Sequence, residues 1–173
     1  MHKITKMDST SRYTAEQIAN WFLSKIEYES GDSIAPLKLQ KLVYYAQAWH
    51  LAIWDEPLFE DSIEAWVHGP VVPVLYYKFK EICADCPIPI DRIDEARNSI
   101  LTLKEHVIGL LNEVLEIYGE HSGRYLEKLT HCEMPWKKAR NGLQPYEKSN
   151  TIITHQDMKE FYQKINNEQK ASQ

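Results

Sequence analysis

The sequence predicts a mainly α protein: a single compact helical domain around a central buried helix at about residues 36–54. Three observations predict this fold. Apolar residues recur at three- and four-residue steps along most of the chain, which is the spacing of one helix face. Stretches with β character are short, namely a small hairpin or short strands at about 58–67 and a candidate strand at 151–153. A chain of 173 residues with 43% hydrophobic content suits one domain with one core.

The central helix is predicted to begin at Pro36, because proline is tolerated in a first turn, where its missing N–H would have no helical partner. The apolar residues that share one face are Leu39, Leu42, Val43, Ala46, Trp49 and Ile53. The opposite face carries Tyr44, Gln47 and Leu51 and is not cleanly polar. A helix that is apolar on most sides is usually covered on most sides, so we expect this helix at the centre of the core.

After the central helix the pattern becomes that of a strand. Apolar and outward-facing side chains alternate along residues 63–68, and we interpret 58–67 as a hairpin or two short strands. Gly69 and Pro70 are expected to end this segment, because glycine adopts backbone angles that other residues avoid and proline cannot donate to a strand ladder. A helix is then predicted from Val71 to Ile82.

Residues that start helices recur along the rest of the chain. The predicted starts are Thr14, Thr102, Ser122, Pro135 and Thr154. At Thr14 and Thr102 a Gln or Glu three residues later completes a capping box, in which each side chain bonds the other's free backbone N–H. Residues 83–90, which include two prolines, are interpreted as a connector.

Composition limits the classes of partner. A net charge of −5 argues against nucleic acid, and the small basic cluster of Lys137, Lys138 and Arg140 is interpreted as a solvated turn. The chain has no apolar run long enough to span a bilayer, and its first residues lack the apolar segment of a signal peptide. We therefore expect a cytoplasmic protein with reduced cysteines and no membrane partner.

The candidate metal site consists of Cys83 and Cys86, which have the spacing of a zinc-ligand pair, together with His131 and Cys132. Two adjacent residues reach one metal awkwardly, so we favour reduced thiols and expect no metal and no other cofactor. No histidine can be paired with a nucleophile or an acid, so no catalytic residue is predicted. His68 and His131 are interpreted as structural.

Aromatic and charged residues near the strand segment are the candidate binding residues. Aromatic side chains are favoured at interface centres as well as in cores. Strand alternation points Trp66 away from the buried face, and helical phase does so for one of Tyr76 and Tyr77. Acidic residues here would steer a basic partner. The predicted partner-binding residues are Trp66, His68, Tyr76, Tyr77, Glu60 and Asp61.

An ordered set of motifs resembles a known domain. The motifs are LKLQKLVYYAQAWHLA, PLFEDSIEAWVHGPVVPVLY, Tyr118-Gly119, Leu126, Leu129-Thr130-His131 and PWKKAR at 135–140. Together they resemble the Panacea antitoxin domain, a phage-associated domain that includes the SocA-like antitoxins, over roughly residues 14–162. The motif residues interpreted as structural are Pro36, Trp49, Gly69, Pro70, His131, Pro135 and Trp136. On this basis we divide the chain into a flexible N-terminus at 1–12, a Panacea-like domain at 13–166 and a polar tail at 167–173.

The resemblance implies binding rather than catalysis. It implies an antitoxin of a bacterial or phage-borne toxin–antitoxin system, which neutralises a toxin encoded by an adjacent gene through direct protein–protein contact. Two alternatives remain open. One is a proteolytic adaptor that delivers the toxin to a cellular protease, and the other is a metal-dependent enzyme that uses Cys83, Cys86 and His131. A homo-oligomer is also compatible with the sequence.

Overall fold

The structure, a computed structural model, describes residues 13–171 and confirms the mainly α fold. Within these residues a short 3-10 helix, Tyr28–Ser30, accompanies the main elements. These are α1 Ala15–Ser24, α2 Pro36–Trp54, β1 Glu64–Trp66, β2 Gly69–Val71, α3 Pro73–Phe79, α4 Ile90–Asn98, α5 Glu105–Tyr118, α6 Gly123–Cys132, α7 Met134–Ala139 and α8 His155–Ala171. The flexible N-terminus predicted at 1–12 lies outside the described residues. The last helix continues into the polar tail that was expected from residue 167, as far as Ala171.

The α2 helix is the centre of the core, as predicted. It packs against α1, α5, α6 and α8 and against the hairpin, and it is buried on nearly all sides. Its ends also match the sequence: Pro36 is the first helical residue, and Asp55 follows the helix in the left-handed conformation. Burial on all sides explains why the apolar residues of this helix do not form a single stripe.

The hairpin lies later in the chain than we predicted. Its strands are Glu64–Trp66 and Gly69–Val71, with Ala65 opposite Pro70, so Gly69 and Pro70 begin a strand instead of ending one. A proline is tolerated here because β2 is an edge strand, where one missing N–H donor breaks no second ladder. Gly69, with φ at +95°, closes the turn, and the helix predicted from Val71 begins only at Pro73.

The candidate strand at 151–153 lies along the other edge of β1. Ala65 N donates to Thr151 O at 2.8 Å, and Ile153 N donates to Ile63 O at 2.8 Å. Ile152 forms an isolated antiparallel bridge with Glu64. The strand β1 therefore has β2 on one side and the segment before α8 on the other.

Most predicted helix starts are confirmed, but Thr102 is wrong, as is the start at Val71. The capping box at Thr14 forms, and the hydroxyl groups of Ser122 and Thr154 cap α6 and α8. Thr102 does not cap α5, which begins three residues later without a side-chain cap. The helix α4, Ile90–Asn98, was not predicted from the sequence.

Candidate partner-binding surface around the hairpin

Two glutamines of α2 hold the backbone on either side of the hairpin. Gln40 accepts a hydrogen bond from Val72 N at 2.9 Å and donates to Val72 O at 3.1 Å. Gln47 accepts from Leu58 N at 2.7 Å and donates to Phe59 O at 2.8 Å. Each buried amide side chain thus satisfies two backbone groups, which fixes the segment to the central helix. Sequence reasoning missed both roles, because the backbone partners are distant in sequence.

Lys41, also on α2, lies beneath the turn of the hairpin. Its side chain has no solvent exposure, and its Nζ donates to Pro70 O at 3.0 Å. Burial lowers the pKa of Lys41 to about 7, although Glu127 opposes this change. A Cβ atom on Gly69 would lie 2.8 Å from Thr130 Oγ1 and 2.9 Å from Lys41 Nζ. Only glycine therefore fits at this point of the turn.

Trp136 and Arg140 bind the backbone carbonyl groups of β1. Trp136 Nε1 donates to Trp66 O at 2.8 Å, and Arg140 donates to Ala65 O at 3.0 Å through one guanidinium nitrogen and to Glu147 O at 2.6 Å through the other. Arg140 is only 4% exposed, and its guanidinium lies 5.0 Å from the Trp136 ring centroid. The interpretation of Arg140 as part of a solvated turn is therefore wrong. Its charge is used to bind carbonyl groups.

His131 is part of the same support. Its ring stacks on Trp136 with centroids 4.1 Å apart and an interplanar angle of 22°. Burial lowers the pKa of His131, which favours the neutral form of the ring. Among the described residues, its Nε2 is a buried nitrogen without a hydrogen-bond partner.

His68, in contrast, is a surface residue at the tip of the hairpin. Its side chain is 63% exposed, and Nδ1 lies 2.8 Å from Glu127 Oε1. Glu127 also accepts from Arg124 at 2.9 Å, and Arg124 makes two bonds to Asp85. Burial raises the pKa of Glu127, but the hydrogen bonds from His68 and Arg124 outweigh this effect, so the pKa is lowered overall.

Trp66, Tyr76 and Tyr77 form a partly exposed cluster, called here the aromatic patch. The Trp66 and Tyr76 rings meet edge to face at 4.7 Å, and Tyr76 and Tyr77 do so at 5.5 Å. Tyr76 is 43% exposed and Tyr77 63%, so both tyrosines face solvent, whereas one was predicted. Trp66 is half-buried, and its Nε1 donates to Glu64 Oε2 at 2.6 Å. The structure thus brings together three of the six predicted partner-binding residues.

Residues 39–137 match the family model described as the Panacea domain of SocA-like antitoxins. The chain belongs to this antitoxin family. A search of the curated proteins and a search of the solved structures each found no significant match. The matched region of this Panacea-domain protein contains Gln40, Lys41, the hairpin, the aromatic patch and Trp136.

The two acidic residues in the prediction have different surroundings. Asp61 Oδ2 accepts from Ala15 N at 2.8 Å, so its carboxylate lies at the N-terminus of α1, where a negative charge is favoured. Glu60 is exposed. Asp61 therefore has a structural partner within the Panacea-domain protein itself.

The candidate zinc ligands are not arranged as a metal site. Cys83 and Cys86 are joined by a disulfide in the loop between α3 and α4, so the expectation of reduced thiols at these two positions is wrong. Cys132 is free and exposed. Within residues 13–171 no group of three or more His, Cys, Asp or Glu side chains could hold a metal ion. The same residues include no helix long and apolar enough to cross a membrane.

A buried carboxylate lies on the side of α2 that faces α8. Glu133 is 8% exposed and accepts from Tyr162 at 2.6 Å and from Tyr45 at 3.2 Å. Burial raises the pKa of Glu133 to about 7, although both hydroxyl groups lower it. Nearby, Trp49 Nε1 donates to Tyr118 at 3.0 Å. Trp49, for which a structural role was predicted, thus connects α2 to α5 through a hydrogen bond.

Proposed function

We propose that this Panacea-domain protein is the antitoxin of a bacterial or phage-borne toxin–antitoxin system. It acts in the cytoplasm, neutralises a toxin encoded by an adjacent gene by binding it directly, and catalyses no reaction. Membership of the antitoxin family supports a toxin partner. The observation that carries the proposal is the aromatic patch, which combines Trp66 of a firmly held hairpin with the exposed Tyr76 and Tyr77 of α3.

The aromatic patch has the properties of an interface centre. Tyrosine and tryptophan bury much area with few rotatable bonds, and they are enriched among residues that dominate binding energy. The backbone of Trp66 is fixed by Trp136, and the turn that follows it is fixed by Lys41. A surface that is already ordered loses less conformational entropy when a partner binds.

The experiment is co-expression of the protein with the product of the adjacent gene, followed by measurement of complex formation with purified components. We expect Tyr77→Ala to weaken binding at least about tenfold, in the range of an interface hot spot, and to reduce rescue from toxicity. Tyr146→Ala is the matched control, because Tyr146 is 77% exposed in the loop before α8. A neighbouring product that is harmless alone, or equally lethal in the presence of the protein, would overturn the proposal.

The half-life of the toxin separates masking from delivery to a protease. Direct masking leaves the half-life unchanged or longer when the protein is present. A shorter half-life would show that the protein acts as a proteolytic adaptor, and the binding measurement with Tyr77→Ala would then locate the surface used for delivery.

A further inference from the structure

A cavity of about 180 Å³ lies between α2, α5 and α8, away from the hairpin. Ile53 and Ile117, which are 43% and 55% exposed, line it together with aromatic and acidic residues. The cavity is partly open to solvent, and a volume of this size has room for a small ligand.

The charges around this cavity have one sign. Glu113 and Glu133 line it, and no Lys, Arg or His within residues 13–171 does so. Glu133 is 8% exposed, and among the described residues it takes part in hydrogen bonds with tyrosines but in no ion pair. Burial raises the pKa of Glu133 to about 7, so its carboxyl group is partly protonated at pH 7 and its ionised form has no counter-charge. A bound cation would stabilise that ionised form.

The walls suit an organic cation better than a hydrated metal ion. Trp49, Tyr118 and Tyr162 line the cavity, and aromatic side chains accommodate an ammonium group more readily than a hydrated metal ion. The aliphatic residues at the opening suit a hydrocarbon stem. At roughly 30 Å³ for each non-hydrogen atom, the volume holds about six such atoms.

We propose that this cavity binds an alkylammonium group with a stem of about four carbon atoms, and that Glu133 is its counter-ion. The same chemistry is offered by a free primary amine and by the lysine side chain of a bound protein. The site is separate from the aromatic patch, and its existence does not depend on the proposed antitoxin function.

The test is titration of the purified protein with n-butylammonium chloride, followed through the indole N–H signal of Trp49 in NMR spectra. We expect a saturable shift of this signal, and binding at least about tenfold weaker for 1-butanol, which has the same stem without the charge. Identical titrations with the amine and the alcohol would overturn the proposal.

Three variants separate the role of the carboxylate from general damage. Glu133→Gln keeps the size and an acceptor oxygen but removes the charge, and we expect at least a tenfold loss of affinity for n-butylammonium. Ile53→Trp narrows the opening without changing Glu133 and should weaken the amine and the alcohol equally. Glu113→Gln should have a smaller effect, because that carboxylate is exposed. Unchanged affinity for n-butylammonium in Glu133→Gln would overturn the proposal.

A pH series adds a readout that a purely structural role of Glu133 would not change. The ionisable groups that interact with its carboxylate are Tyr44 and Tyr45 from α2, Tyr118 from α5 and Tyr162 from α8, and Glu113 of α5 lines the same cavity. Burial raises the pKa values of these four tyrosines, so they stay neutral. Affinity should rise from about pH 6 to about pH 8 as Glu133 loses its proton. In Glu133→Gln this rise should be absent.

Addition of the toxin distinguishes the two sources of the ligand. If a lysine of the toxin occupies the cavity, the toxin displaces n-butylammonium from the wild-type protein. If the ligand is a free amine, the toxin and the probe bind together. Either result supports the cavity as an ammonium site, whereas absence of probe binding in the isolated protein contradicts it.

Discussion

Lys41 and Pro70 are joined by a hydrogen bond in the interior, with the Lys41 Nζ 3.0 Å from the Pro70 carbonyl oxygen. Lys41 has no solvent exposure, so its amine is separated from water and depends on this contact for a hydrogen-bond partner. The bond connects the central helix to β2. This strand was not predicted, because Pro70 was expected to end the strand segment. Four measurable consequences concern this region and the buried carboxylate of Glu133.

Lys41→Met should remove the part of the free energy of unfolding that changes between about pH 7 and pH 10.5. The pKa of Lys41 is lowered from 10.5 to about 7, so between these values the unfolded chain binds a proton that the folded chain does not. The stability that Lys41 contributes is therefore complete above pH 10.5 and is lost as the pH falls to about 7. The change is on the order of 4 kcal/mol.

Urea unfolding of the wild type and of Lys41→Met at pH 7 and pH 10 measures this effect. The wild type should gain more stability than the variant between the two pH values. Equal gains would show that the amine of Lys41 titrates alike in the folded and unfolded chains.

Gly69→Ala should destabilise the protein by about 3 kcal/mol. Its φ of +95° is unfavourable for alanine, and the new methyl group would lie less than 3 Å from Thr130 Oγ1 and Lys41 Nζ. Gly31→Ala is the control, because Gly31 has a φ of +86° with open space around it. The control should lose only about 1 kcal/mol in denaturant unfolding. Similar losses for both variants would mean that the turn moves to accommodate the methyl group.

Glu133→Gln should remove a dependence of stability on acidic pH. The pKa of Glu133 is raised from 4.5 to about 7, so the folded chain holds a proton that the unfolded chain has already lost. The stability from this group is fully present below pH 4.5 and is lost as the pH rises to about 7, by on the order of 3 kcal/mol. Thermal unfolding from pH 4.5 to pH 7.5 should show a steeper decline for the wild type than for the variant. Parallel curves would exclude the shift.

Arg140→Lys should lower the free energy of unfolding by about 2 kcal/mol although the charge is kept. The guanidinium bonds carbonyl groups of Ala65 and Glu147 in different directions, and a lysine amine lacks this forked geometry. Lys137→Met, on the exposed side of α7, should change stability by less than about 0.5 kcal/mol. Hydrogen exchange at the Ala65 amide, which donates to Thr151, would report whether the damage reaches β1.

Local patterns in the sequence were sufficient for the central helix and most caps. Pro36, the apolar periodicity of α2 and the hydroxyl groups of Thr14, Ser122 and Thr154 act over a few residues, so their effects can be inferred without a partner. Thr102 has the same pattern but does not cap α5, because the residue that directly precedes this helix is Lys104.

The hairpin and the residues that hold it could not be predicted in full, because their contacts join residues that are far apart in the sequence. Pro70 was interpreted as a strand breaker, because the position of β2 at the sheet edge was unknown. Arg140 is close in sequence to Lys137 and Lys138 and was therefore interpreted as solvated. Its side chain is buried, where it binds backbone carbonyl groups. The roles of Gln40 and Gln47 had one signal that could have been used: each is a polar residue within an otherwise buried helix, and such a residue needs a partner.

The pairing of residues 151–153 with β1 bears on how short a version of this protein can be produced. The family match ends at residue 137, before the segment that supplies Thr151 and Ile153 and before α8. A fragment cut at that point would leave an unpaired strand edge and an uncovered side of α2, both of which promote self-association. Truncations intended for expression should therefore retain the chain through α8.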